Sequence, residues 1–277
     1  MCCQYFSCII TKDLKVHWSK RTMAHEDLLA ELRLEDKKLE ERDFVKIEIS
    51  PKDVKKVSRN RDDWTFKVDE ERTLPNWYDE NVVKCQGACW KAWEESVQVN
   101  LAIDKEEKHG KDQLFFAYDS STVRTSGSAT VKAYDSATVI ASGSATVIAY
   151  DSATVIAYGS ATVIAYDSAT VRASGSATVI AYDSATVRAS GSATVRASGS
   201  ATVITYDSST VQAYGSATVK AYDSATVKAY DSATVEAYDY ATVELKSDCV
   251  TVLCRGKIFV TEKAIVVRAS VVKAAEV

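Results

Sequence analysis

The sequence predicts a mainly β protein: a parallel β-solenoid of octapeptide repeats behind a small N-terminal α+β domain. Three observations predict it. From Tyr118 to Leu245 the chain runs without a gap through sixteen units of the form (Tyr/Ser)-(Asp/Gly)-Ser-Ala-Thr-Val-x-Ala. Within each unit the apolar positions recur every second residue, which is the period of a strand and not of a helix. Eight residues also leave no room for helical crossovers. Identical strands then pair in parallel with their equivalents one coil later.

Variation along the unit locates its surface. The fifth position is Thr in all sixteen units (Thr122 to Thr242) and the sixth is Val in all sixteen (Val123 to Val243), while the seventh is Arg124, Lys132, Ile140, Gln212 or Glu236. A position that accepts Arg, Glu and Ile faces water. Side chains alternate along a strand, so Thr, the variable residue and Tyr/Ser point outward, and Ala, Val and Ala point inward. The second position is Asp or Gly only, residues that tolerate positive φ, and marks the corner. Ser at the third position is expected to tie down the turn by local hydrogen bonds.

Two units per coil, sixteen residues, is the favoured period. From Tyr118 to Gly191 the corner alternates Asp and Gly through ten units. With two units per coil the only Arg-on-Arg stack is Arg172 over Arg188. Three units per coil would stack Arg172, Arg196 and Lys220, a worse arrangement at strand spacing. Eight regular coils at ~4.8 Å each make a rod of roughly 40 Å.

The chain divides into a head domain (1–109), the repeat solenoid (110–245) and degenerate C-terminal coils or cap (246–277). In the head, Gln4–Ile10 and Leu14–Trp18 read as a hairpin. His25–Leu34 reads as a helix with Leu28, Leu29 and Leu32 on one face. Phe44–Ile49 and Trp64–Val68 read as strands. A helix from Pro75 or Tyr78 to about Val97 carries Trp90 and Trp93. The order is ββαββα. Leu114-Phe115-Phe116 is expected to plug one solenoid end. At the other end the Thr-Val pair slips by one residue, and Lys246, Arg255, Lys257 and Lys263 serve as edge charges among larger side chains such as Leu253, Ile258 and Phe259.

Composition narrows the function. With 34 basic and 38 acidic residues the net charge is −4, which gives no electrostatic footprint for nucleic acid. No segment reaches the length of a membrane helix. The opening MCCQYFSCIITKD lacks the marks of a signal peptide, so a cytoplasmic location is expected. Seven Cys in no framework spacing read as reduced thiols. Cys85 and Cys89 share a helix face, but no nearby ligand completes a metal set. His17, His25 and His109 lie in no catalytic motif. A single Asp per corner is too few for a calcium ladder. No cofactor, metal or enzyme activity is expected.

Two outward rows remain as candidates. Tyr118, Tyr134, Tyr150, Tyr166 and Tyr182 form an unbroken ladder in the two-unit coil. Ile148, Ile164 and Ile180 stand two residues before ladder tyrosines and share their face. Together they make a flat apolar strip suited to a protein partner or a second copy, although such a ladder also stabilises a sheet by same-face stacking alone. The second row, Thr122, Thr138, Thr154, Thr170 and Thr186, is a regular array able to order water.

The segments SCIITKDLKVHW, DFVKIEISP and LPNWYDE, followed by octapeptides such as AYDSATVIAYGSATV from Ala149 to Val163, resemble octapeptide-repeat β-solenoid proteins of gut bacteria and their phages. The likeness covers nearly the whole chain. It implies a solenoid and a phage-associated origin, and it supplies no activity. Tyr158-Gly159-Ser160 and Tyr214-Gly215-Ser216 are also similar to the repeats of ice-nucleation proteins. Those pair two outward threonines as Thr-x-Thr, whereas the second place here is Ile, Arg, Lys, Gln or Glu. The expected role is a non-enzymatic structural or interaction protein: the head recognises, and the solenoid serves as spacer or docking face. Ice or surface binding by the Thr row is the alternative.

Overall fold

A computed structural model describes residues 6–19, 25–34, 43–53, 56–69, 74–104, 106–247, 249–256 and 259–261. The chain forms two compact units, one of residues 1–103 with 113–116 and one of residues 104–112 with 117–277.

The second unit is a β-solenoid with sixteen residues per coil. One sheet has ten strands and runs from Glu107–Lys111 through Thr122–Ser126, Thr138–Ala141 and every alternate repeat to Thr251–Gly256. The facing sheet takes the other repeats, from Thr130–Ala133 to Phe259–Thr261. Pairing is parallel and identical residues meet: Thr138 with Thr154 and Val139 with Val155 in one sheet, Thr146 with Thr162 and Val147 with Val163 in the other. Arg172 lies beside Arg188, as the two-unit period requires.

Burial follows the expected parity. All sixteen repeat valines, Val123 to Val243, are fully buried, and so are nearly all the inward alanines. Each buried valine contributes about 1.5–3 kcal/mol relative to exposure, and repetition makes this thin core sufficient. Hydroxyl residues take inward alanine positions at Ser121 and Thr125 in the first unit, where Thr125 donates to Gly110 O at 3.3 Å and the buried Ser121 hydroxyl has no partner among the described residues, and again at Thr205 and Ser209. Thr205 and Ser209 put hydroxyls into the interior, where they hydrogen-bond to each other, and Ser209 also donates to the carbonyl of Tyr206 at 2.5 Å. Neither of these last two hydroxyls is stranded, as is the rule for buried polar groups.

The corners keep the ladder intact. In one coil Tyr150 N–H donates to Ala133 O, Ser152 N–H to Asp135 O and Thr154 N–H to Ala137 O, each within 3.0 Å. The repeat aspartates sit at φ between 49° and 56°, and the repeat glycines at 63° to 76°. Where the next coil offers Asp, its carboxylate meets the N–H of the corner residue: Asp151 N–H by Asp167 at 3.3 Å, Gly191 N–H by Asp207 at 2.9 Å. Asp therefore tolerates the left-handed corner and also caps the corner beneath it. The third-position Ser acts through its backbone N–H; beyond Ser128, the hydroxyls expected to tie the turn make no such bond among the described residues. Where Gly stacks on Gly the approach is close. A Cβ on Gly175 would lie 3.1 Å from the Gly159 carbonyl oxygen, at φ +76°.

Both ends depart from expectation. Glu107–Lys111 pairs in parallel with Thr122–Ser126, so this sheet begins one strand before its first consensus repeat. Asp104 and Asp112, eight residues apart, already have corner φ values of 55° and 56°. Asp112 accepts hydrogen bonds from the Ser128 N–H and hydroxyl. Leu114, Phe115 and Phe116 are buried and belong to the first unit. Beyond Leu245, Thr251 pairs with Thr234 and Phe259 with Thr242. The one-residue slip is an insertion in the connection, and the coil continues through it. Lys257, Ile258 and Lys263 lie outside the described residues.

The first unit is α+β, as expected. A four-stranded antiparallel sheet has the order β2 (Val16–His17), β1 (Phe6–Thr11), β3 (Phe44–Pro51), β4 (Trp64–Val68). Helix α1 (His25–Leu32) places Leu28 and Leu29 against Ile9 and Phe44. The long final helix of the expectation is two: α2 (Asn76–Asp79) and α3 (Val82–Ser96). Asn81, at φ −122° and ψ 16°, breaks them, and its amide donates to Trp77 O. Trp90 and Trp93 of α3 pack edge-on to each other at 5.5 Å, and Trp93 meets Trp64 at 4.9 Å. The tryptophans are core.

A double-mutant cycle tests the buried hydroxyl pair. Ser209→Ala strands the Thr205 hydroxyl and costs about 1–3 kcal/mol, whereas Thr205→Ala with Ser209→Ala is close to neutral. Urea denaturation measures both, and additive losses would contradict the pairing.

Candidate interaction face of the solenoid

The strands from Thr130–Ala133 onward place Lys132, Ile148, Ile164, Ile180, Arg196, Gln212, Lys228 and Glu244 in one register column, in which Lys132 is buried and does not reach the water expected at its position. Ile148 pairs with Ile164 and Ile164 with Ile180. Each precedes a tyrosine by two residues. That the two positions share a face is visible in neighbouring coils, where Tyr214 hydroxyl donates to Gln212 at 3.3 Å. Tyr238 does the same to Glu236 at 2.7 Å.

The tyrosines stack as the two-unit coil requires. Centroids from Tyr118 to Tyr134, Tyr150, Tyr166 and Tyr182 are 4.7, 5.0, 5.3 and 5.0 Å apart, with rings within 8° of parallel. The ladder is not uniformly exposed. Tyr118 and Tyr134 are 1% and 4% exposed, Tyr150 and Tyr166 are half-buried, and Tyr182 is 37% exposed. The stacked rings share one face of the sheet, and on it the first two rungs are buried while the later ones reach solvent. Ile148, Ile164 and Ile180 are half-buried. The solvent-facing strip is thus Ile148 to Tyr182. Beyond it Ser198 interrupts the ladder, and the Arg196 guanidinium lies 5.0 Å over the Tyr214 ring.

On the other sheet Thr122, Thr138, Thr154, Thr170 and Thr186 stand in one register column. Thr170 is exposed and the others are half-buried. Their neighbours two residues on are Arg124, Ile140, Ile156, Arg172 and Arg188, so the plane beside the threonines is uneven.

The head brings together residues that the sequence left apart. Cys8 of β1 meets Cys89 of α3, with their thiols in hydrogen-bond contact, and Cys85 lies one turn before Cys89 on the helix; all three are buried. Burial pushes the Cys8 and Cys85 thiols above their ordinary range, and burial with these thiols nearby does the same to Tyr78. Such thiols are unreactive. The signal for Cys8 is tertiary and absent from spacing. Buried His25 places Nδ1 3.0 Å from the Asp69 carboxylate and Nε2 3.1 Å from Ile47 O. Its second nitrogen faces a backbone carbonyl. Among the described residues no three His, Cys, Asp or Glu side chains gather to hold a metal. No described helix is long and apolar enough to cross a membrane.

The chain matches no family model, no curated protein and no solved structure.

The charged end of the isoleucine column gives a pH prediction. Lys246 at 3.2 Å and Lys228 at 3.5 Å lower the Glu244 carboxyl below its ordinary 4.5. A lowered folded pKa stabilises the fold fully above pH 4.5, and the contribution is lost as pH falls through the folded value. A carboxyl NMR titration is expected to place Glu244 below 4.5 and to move it upward in Lys246→Ala. An unchanged midpoint in that variant would contradict the pairing.

Proposed function

We propose that the protein is a non-enzymatic structural and interaction protein whose solenoid joins a second copy of itself through the Ile148–Tyr182 strip, while the head recognises a further partner. The carrying observation is the in-register stack of Ile148, Ile164 and Ile180 beside Tyr150, Tyr166 and Tyr182. A second copy repeats the same side chains at the same coil spacing, so every rung meets an equivalent rung with no mismatch along the strip. Apolar residues arranged this way on a flat face favour association. Repeats add length without disturbing their neighbours, which suits a spacer.

Sedimentation of the full chain tests the reading. The expected result is a reversible dimer. Ile148→Glu with Ile164→Lys and Ile180→Glu, which alternates charge between Lys132 and Arg196 in the column, makes it monomeric with an unchanged circular dichroism spectrum, because Lys228 and Glu244 already adjoin at that position. A monomeric parent, or a variant that dimerises equally well, would overturn it. The alternative, ice or surface binding through Thr122, Thr138, Thr154, Thr170 and Thr186, is favoured by their single register column. Its signature is a raised droplet freezing temperature, which the isoleucine variant leaves unchanged.

A further inference from the structure

The geometry points to a binding notch for a small aromatic phosphate, on the sheet opposite the isoleucine strip. At the edge following the strands Thr154–Ala157, Thr170–Ala173, Thr186–Ala189 and Thr202–Thr205, the stacked positions read Tyr158, Ser174, Ser190, Tyr206. Two rings are missing from the row. The space they vacate is a cavity of about 290 Å³ bounded by Tyr158 below, Tyr206 above, and Arg172 and Arg188 at the side. Tyr158 is 50% exposed, which leaves an aromatic surface facing the gap.

The arginines are the second observation. Arg172 and Arg188 are register neighbours, and like charges at strand spacing repel. Two column positions beyond Arg188, the same sheet resolves its charges by pairing Lys220 with Glu236 at 3.3 Å. Arg172 and Arg188 have no acidic partner among the described residues; Ile156 and Ile204 stand beyond them in the column. All four repeat arginines, Arg124, Arg172, Arg188 and Arg196, precede Ser126, Ser174, Ser190 and Ser198 by two residues and never precede a tyrosine by two. Only at Ser174 and Ser190 do two such pairs adjoin on one sheet.

The ligand class follows from these groups. Two arginines and two serines line one space, and guanidinium forks with hydroxyls suit an oxyanion with several acceptors and a double negative charge. Ring faces at the two ends suit a flat aromatic group. The volume lies at the small end of ligand pockets and limits the ligand to a compact aromatic system with one phosphoryl group. Binding neutralises the Arg172–Arg188 repulsion and places a ring in the gap of the interrupted stack.

Calorimetric titration of the full chain with AMP, phenyl phosphate, adenosine and inorganic phosphate tests the site. Both aromatic phosphates are expected to bind saturably, about tenfold or more tighter than adenosine or inorganic phosphate. Arg172→Gln with Arg188→Gln is expected to weaken that binding by about tenfold or more, and Gln212 shows that the position accepts glutamine. Ser174→Tyr with Ser190→Tyr completes the row and abolishes binding. Tyr precedes Gly at Tyr158 and Tyr214, so this variant keeps the fold, checked by circular dichroism. Inorganic phosphate binding as tightly as the aromatic phosphates would overturn the proposal, as would either double variant binding like the parent.

Discussion

A chain that turns every eight residues loses its strand pairing unless each corner also pairs with the corner beneath it. That requirement governs the solenoid. The second residue of each unit adopts a left-handed conformation, which Asp and Gly reach at little cost. The backbone groups on either side then continue the ladder from coil to coil. Asp adds a carboxylate that meets the corner N–H below it. The short Val and Ala side chains follow from the same constraint. Two strands joined by so tight a corner enclose little space, and only small side chains fit between the sheets.

Stacking identical coils puts like against like. For Val, Thr and Tyr this is favourable, since each outward row becomes a continuous ladder and each inward row a continuous core. For charges it is not. The variable column resolves the conflict by alternation where it can: Lys220 faces Glu236, and Lys228 faces Glu244. Arg172 over Arg188 is the unresolved case, beside the two missing rings. The interior shows the same logic in Thr205 and Ser209, where one inward hydroxyl is accompanied by another.

The solenoid was legible in the sequence because its determinants are local and repeat. Parity alone sorted inward Val from outward Thr, and the Asp/Gly alternation set two strands per coil. The irregular strand Glu107–Lys111 was not, because it lacks the Thr-Val signature; its trace is the eight-residue spacing of Asp104 and Asp112. The burial of Tyr118 and Tyr134 was hidden too, since those rungs match the exposed ones in sequence. In the head, element order was readable from apolar periodicity. The break at Asn81 and the meeting of Cys8 with Cys89 depend on tertiary packing, which spacing does not record.

Cross-linking gives the most direct test of the sixteen-residue register. Equivalent residues of neighbouring coils lie one strand spacing apart, within reach of a disulfide. Thr162→Cys with Thr178→Cys is expected to form that bond on mild oxidation, detected by mass spectrometry after digestion. Thr162→Cys with Thr186→Cys, three units apart, is expected to stay reduced. Cross-linking of the second pair and not the first would contradict the fold from the corner outward.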